Sequence, residues 1–176
     1  MYAKHQAITF TLLIIATTLL VTIMGLIKGI TIETVESIQG GTTEFYAPQS
    51  SDRTMVVKVP ANTVDDLYVH KHQTDQLLVV KGDFILVVLY NRQYQYIHLS
   101  DRLPQVVTIP KGVSHGAMNL SDRDCLLVNA VLHHGEPNYR DYQPIKKPFP
   151  YNLEQAKSCL KSSIKYSPTL VAGAGI

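Results

Sequence analysis

The sequence predicts an all-β domain closed into a small jelly-roll barrel, set between an apolar N-terminal segment and a short C-terminal helix. Three observations predict it. Short β-branched segments recur between Met55 and Val131, turn-forming residues separate them, and no stretch there has the length and periodicity of a helix.

In chain order, Ile8 to Ile27 (ITFTLLIIATTLLVTIMGLI) runs 20 residues without a charge. As a helix rising about 1.5 Å per residue it would span roughly 30 Å, the thickness of a bilayer core. Twelve of these residues are Ile, Leu, Val or Phe, so residues 8–27 are a candidate transmembrane helix anchoring the chain to a membrane. No small-x-small site precedes the polar chain near Thr31, which argues against a cleaved signal. Lys4 and Lys28 flank the run on either side and assign no orientation. An alternative start at Met24 (MGLIKGITIETVESIQ) would give a cytoplasmic protein without the anchor.

Residues 31–53 are polar with Gly40, Gly41 and Pro48, and read as a linker or leading strand. The domain follows over residues 54–150. Its segments are MVVKV, DDLYVHKH, QLLVV, FILVVLY, QYQYIHL, QVVTI and CLLVNAVL, divided by Pro60-Ala61-Asn62, Gly82-Asp83, Asn91-Arg92 and Pro110-Lys111-Gly112. In QYQYIHL, Tyr94, Tyr96 and His98 alternate with Gln95, Ile97 and Leu99, so the two faces of that strand meet different surroundings. Tyr94 and Tyr96 are candidates to line a substrate pocket. The stretch GEPNYRDYQPIKKPFPY is expected to pack back on the barrel. Asn152 can cap a helix to about Ile164, with Leu153, Ala156, Leu160 and Ile164 on one stripe, ahead of a terminal tail within residues 151–176.

Apolar residues make up 45% of the chain and charged residues 17%, a globular composition, and the net charge of +2 gives no electrostatic case for nucleic acid. Without Lys4 and Lys28 the remainder is neutral, which suits a small uncharged or modestly charged ligand. Cys125 lies in an apolar run and Cys159 in the C-terminal helix; neither a disulfide framework nor a thiolate zinc site is indicated.

Two clusters carry chemistry. In HKHQTDQLLVVKG, His70 and His72 are two apart on an expected strand, where a period of two would point both imidazoles to one face. In PKGVSHGAMN, Pro110 and Gly112 turn the chain into a strand bearing His115 and Asn119. Barrel closure would bring His115 to His70 and His72, with Gln76 or Asp75 supplying an oxygen. Such a set suits a divalent metal (Fe, Mn, Ni or Zn) with open positions. It equally suits metal-free proton transfer, because imidazoles titrate near neutrality.

The two clusters resemble the paired motifs of the cupins, a HxH pair followed by an acid and a glycine, then PxGxxHxxxN. The second motif is complete from Pro110 to Asn119; in the first, Gln76 stands where the acid is usual. Within the cupins, IPKGVSHGAMNLS (109–121) resembles dTDP-4-dehydrorhamnose 3,5-epimerases of the RmlC-like branch, and HKHQTDQLLVVKG with NYRDYQPIKKPF (138–149) resembles dTDP-sugar 3,4-ketoisomerases. The resemblance implies a nucleotide-sugar isomerase or epimerase, with His70 and His72 as proton-transfer groups. It also implies ligand contacts from Asn119, Tyr94, Tyr96 and Arg140, and a homodimer that shares strands. Other cupins bind a metal, here through His70, His72, Gln76 and His115, or a small ligand without turnover. The Arg-Gly that precedes the first histidine in both families is replaced by Leu67-Tyr68, and the epimerase's acidic tyrosine falls by spacing at Val128.

Overall fold

The computed structural model describes residues 29–35, 37–40, 43–46, 49–136 and 141–164. The candidate membrane segment 8–27, the terminal tail and Arg140 lie outside these residues. Among the described residues no helix is long and apolar enough to cross a membrane.

Two antiparallel sheets form the barrel. The first has five strands in the order β1 (Thr31–Thr34), β10 (Gln105–Ile109), β7 (Gln73–Lys81), β12 (Cys125–His133), β4 (Arg53–Val59). The second runs β13 (Gln143–Ile145), β6 (Leu67–Val69), β11 (His115–Asn119), β8 (Asp83–Tyr90), β9 (Gln93–Ser100), with β5 (Thr63–Val64) also paired to β11. A separate hairpin joins β2 (Ser37–Gly40) to β3 (Thr43–Tyr46). Non-consecutive neighbours such as β7 beside both β10 and β12 are the crossovers of a jelly roll.

Side-chain alternation sorts the strands into an inside and an outside. Inside, Leu77 and Val79 of β7, Leu86 and Val88 of β8, and Val107 and Ile109 of β10 belong to one buried core. Each such side chain contributes about 1.5–3 kcal/mol on burial. Outside the second sheet, Ile85 and Val87 alternate with that set and form a second core with Leu67, Tyr94, Met118 and Ala156. Helix α1 (Leu153–Ile164) covers this outer face. Asn152 caps it as expected, its Oδ1 accepting from Gln155 N at 3.0 Å. On the helix's expected apolar stripe, Ala156 is fully buried and Leu160 partly so, whereas Leu153 is 40% exposed.

The turns use the residues singled out in sequence. Asn91 and Arg92 both take positive φ (48° and 59°), the geometry of a tight hairpin turn between β8 and β9. Gly112, at φ 78°, lets the chain double back so that its N–H donates to the His70 carbonyl at 2.6 Å. The loop before β11 is thereby tied to the end of β6.

Candidate active site

The candidate site forms where β6, β7, β11 and β12 meet at one end of the barrel. Three side chains converge there: His70, Asp75 and His115, all buried, with 9%, 3% and 2% of their surface exposed. The Asp75 Oδ2 atom lies 3.4 Å from His70 Nε2 and 3.5 Å from His115 Nε2. These separations are within ion-pair reach but longer than the 2.7–3.2 Å of ordinary hydrogen bonds. One carboxylate oxygen is therefore shared between two imidazoles.

The alternation of β7 explains why Asp75 is the acid. Asp75 has the same parity as Leu77 and Val79, which face the core; Gln76 has the parity of Leu78 and of Val80, the latter 49% exposed. Gln76 therefore points away from the imidazoles, and its Nε2 donates to the carbonyls of Ser50 (2.8 Å) and Ala130 (3.0 Å). The expected Gln76 oxygen is thus replaced by that of Asp75. The common face expected for His70 and His72 is also not formed. β6 ends at Val69 and β7 begins at Gln73, so both histidines sit in a bend where strand alternation does not hold, and His72 is exposed.

Each member of the cluster is held from behind. His115 Nδ1 lies 2.9 Å from the Val113 carbonyl. A carbonyl only accepts, so Nδ1 carries a proton and Nε2, which makes no hydrogen bond, faces Asp75. Asp75 Oδ1 accepts from Asn129 Nδ2 and from Gln73 Nε2, both at 2.9 Å. Asn129 Oδ1 in turn accepts from Gln76 N at 3.2 Å. Burial pushes the Asp75 carboxyl up, but the contacts with His115, Asn129 and His70 outweigh it and hold the carboxyl below its usual range. His70 is lowered as well, but by burial itself: burial lowers its pKa and the neighbouring His115 adds to this, against the pull of Asp75 and Asp141. His70 is neutral beside an ionised Asp75 near pH 7.

The return segment closes the far side. Asp141, 5% exposed, accepts from Lys71 N (2.9 Å) and from His72 N with both oxygens (3.1 and 3.0 Å), and its Oδ2 lies 3.9 Å from His70 Nδ1. His70 Nδ1 is buried without a hydrogen bond, which leaves Nε2 as the nitrogen turned into the cluster. Tyr68 packs edge-on against His115 and His70, with ring centroids 4.3 and 5.4 Å away. Tyr142 lies over Tyr68 at 4.8 Å and is 56% exposed, forming the outermost layer. Burial, reinforced by the Asp75 charge, raises the Tyr68 phenol's pKa far enough that it stays protonated.

The other sequence candidates take other places. Asn119 is fully engaged: Nδ2 donates to the Val59 and Arg123 carbonyls, and Oδ1 accepts from Ser121 N and Oγ. It organises the β11–β12 turn. Tyr94 and Tyr96 lie on the outer face. The Tyr94 hydroxyl donates to the Phe149 carbonyl (2.9 Å), and the Tyr96 hydroxyl accepts from Asn152 N (2.8 Å). With Arg92, Phe149 and Gln155 they line a cavity of about 260 Å³ that shares no residue with the histidine cluster. Val128 has the outward parity on β12, while Asn129 next to it reaches Asp75.

The three donor atoms lie within 4.8 Å of one another, so the group could hold a metal ion. Two imidazole nitrogens and a carboxylate, one of the nitrogens unpartnered and fixed by a carbonyl on its far side, fit a divalent first-row metal.

No protein-family profile matches the chain and no curated protein matches it in sequence. Solved structures do match its shape. The TDP-quinovose 3,4-ketoisomerase of Campylobacter jejuni superposes with a TM-score of 0.56 at 18% identity, over 68% of this chain and 95% of its own. A dTDP sugar isomerase of Desulfovibrio desulfuricans G20 gives 0.58 at 14% identity, over 70% and 91%. The dTDP-4-dehydrorhamnose 3,5-epimerase of Sulfolobus tokodaii gives 0.56 at 17% identity, over 70% and 84%. The fold is thus a cupin-like barrel. Among solved structures its shape is similar to that of dTDP-sugar epimerases and ketoisomerases.

Proposed function

We propose that the protein is an isomerase of nucleotide-linked keto sugars that works by proton transfer next to the ketone. The observation that carries this reading is the buried Asp75 shared by His70 and His115, in a barrel whose structural neighbours act on dTDP sugars. His70, neutral near pH 7, takes the proton at Nε2. The adjacent carboxylate of Asp75 then stabilises the imidazolium; general base catalysis by a positioned side chain typically contributes about 10²–10⁴-fold to rate. His115, fixed through Nδ1 by Val113, and Asn129 keep that carboxylate aimed at His70. His72 is assigned no proton-transfer role, because it lies exposed outside the cluster.

The test is incubation of purified protein with dTDP-linked 4-keto sugars in heavy water, followed by NMR of the sugar. Conversion or deuterium entry that His70→Asn abolishes supports the reading. Neither conversion nor exchange with any candidate would sink it.

A second reading is favoured by the unpartnered His115 Nε2 pointing at an ionised carboxylate, an arrangement that a divalent cation would complete. In this reading His70, Asp75 and His115 bind Fe, Mn, Ni or Zn, which would supply Lewis-acid chemistry. Elemental analysis of untagged protein decides it; metal that stays substoichiometric on reconstitution removes it. Homodimerisation and membrane attachment through residues 8–27 are proposed alongside. Sedimentation tests the first, and fractionation of the full chain against one starting at Met24 tests the second.

A further inference from the structure

We infer that the cavity on the outer face of the second sheet is a binding site for a small aromatic carboxylate, with Arg92 holding the acid and the Tyr94, Tyr96 and Phe149 rings holding the aromatic body. It shares no residue with the histidine cluster and does not depend on the chemistry proposed there.

The cavity, of about 260 Å³, lies between the β8–β9 turn, strand β9 and the start of α1. Its walls are fixed from behind. The Tyr94 hydroxyl donates to the Phe149 carbonyl at 2.9 Å, and the Tyr151 ring braces Tyr94 with 4.7 Å between centroids. The Tyr96 hydroxyl accepts from Asn152 N at 2.8 Å. Both hydroxyls are thus spent within the protein, and what these residues offer a ligand is ring surface. The Phe149 ring stands 4.6 Å from that of Tyr94, tilted by 53°, yet Phe149 keeps 38% of its surface exposed. An aromatic side chain held in place with that much surface open suits contact with a second, planar ring. The volume is below the roughly 300–1,000 Å³ of sites for drug-sized ligands, which confines the occupant to one or two fused rings.

Charge selects the rest of the ligand. Among the residues that line the cavity none is acidic, and Arg92 alone is charged. Arg92 makes no ion pair, hydrogen bond or ring contact among the described residues. Its planar guanidinium offers paired N–H donors that match a carboxylate. Its backbone position is also strained. At φ 59° Arg92 takes the second central place of the hairpin turn, after Asn91 at φ 48°, where glycine is the favoured residue. The turn alone does not account for an arginine there, whereas a cation at the edge of the cavity does. A carboxylate on Arg92, with its ring against Phe149, would bridge the sheet to the segment that leads into α1.

The experiment titrates the full chain with indole-3-carboxylate, reading binding by ligand-observed NMR and Tm by thermal melts. Saturable binding in roughly the millimolar range or tighter is expected for a ligand of this size. Indole-3-carboxamide, which lacks the charge, should bind about tenfold or more weakly, and cyclohexanecarboxylate, which lacks the aromatic ring, about threefold or more weakly. Glycine relieves the turn, so Arg92→Gly should keep or raise Tm while weakening indole-3-carboxylate about tenfold or more. A merely structural arginine would show the reverse, a lower Tm with unchanged affinity. Gln155→Glu, an exposed change that sets a negative charge in the lining, should also weaken binding and decides the matter should Arg92→Gly fail to fold. No saturable binding up to about 10 mM overturns the inference. Equal binding of the carboxamide or of cyclohexanecarboxylate, or wild-type affinity in the variants, overturns it as well.

Discussion

Asp141→Ala offers the sharpest test of how the site is held. Asp141 is 5% exposed and accepts three hydrogen bonds from the backbone N–H groups of Lys71 and His72, the two residues that follow His70. Removing the carboxylate leaves two backbone donors without partners, at about 1–3 kcal/mol each. The bonds are only partly buried, so water recovers some of this and the expected cost is about 3 kcal/mol. For a chain of this size each kcal/mol shifts Tm by about 2–4 °C, which predicts a fall of about 6–12 °C. Thermal melts and urea midpoints measure it, and turnover should fall along with them because the freed bend carries His70. A variant within about 0.5 kcal/mol of wild type, the range of ordinary surface changes, would refute the view that Asp141 anchors this bend.

Three further outcomes follow from the same contacts. Both His70 and Asp75 have folded pKa values below the ordinary ones of 6.5 and 3.8. The unfolded chain therefore binds protons first on acidification, and stability is lost as pH falls, from His70 below about pH 6.5 and from Asp75 below about pH 4. His70→Asn should flatten the fall in urea midpoint between pH 7 and pH 5, and an unchanged slope would remove the His70 contribution. At Gly116 a Cβ would come within 2.9 Å of the Asp66 carbonyl and 3.0 Å of the Tyr151 hydroxyl, so Gly116→Ala should cost about 1–3 kcal/mol by overpacking, read as a lower Tm. Asn119→Ala should cost a similar 1–3 kcal/mol through its lost turn bonds yet leave KM unchanged. A raised KM would restore Asn119 as a ligand contact.

The barrel was legible because its signals are local. β-Branched runs, the Asn91-Arg92 and Pro110-Lys111-Gly112 turns and the Asn152 cap each act within a few residues, and the structure places strands, turns and helix where those residues put them. The site was legible in part. His70 and His115 meet as expected, but the partner oxygen depended on the phase of β7, which the run Leu77 to Val80 hides because it is apolar at every position. The lone polar Asn129 inside CLLVNAVL is the local signal that marks this position. His72 was misplaced because strand alternation was extended across a bend, and that bend is set by Asp141, some seventy residues on. Tyr94 and Tyr96 alternate as read, but their outward face is covered by a segment whose docking no local pattern announces.

Residues 141–152 touch both the histidine-bearing bend and the aromatic outer sheet. Their contacts close loops of 70 residues at Lys71–Asp141 and 55 at Tyr94–Phe149. Their closure entropy is comparable with that of the barrel's own ladders, such as Arg53 with Val131, because the cost grows only slowly with loop length. During synthesis the barrel strands through His133 emerge before Asp141, which fixes the His70 bend, so a nascent chain at that stage has its main strands but an unfinished site. The site is completed when Asp141, eight residues past His133, has also left the ribosome, roughly 0.4–1.6 s later at about 5–20 residues per second.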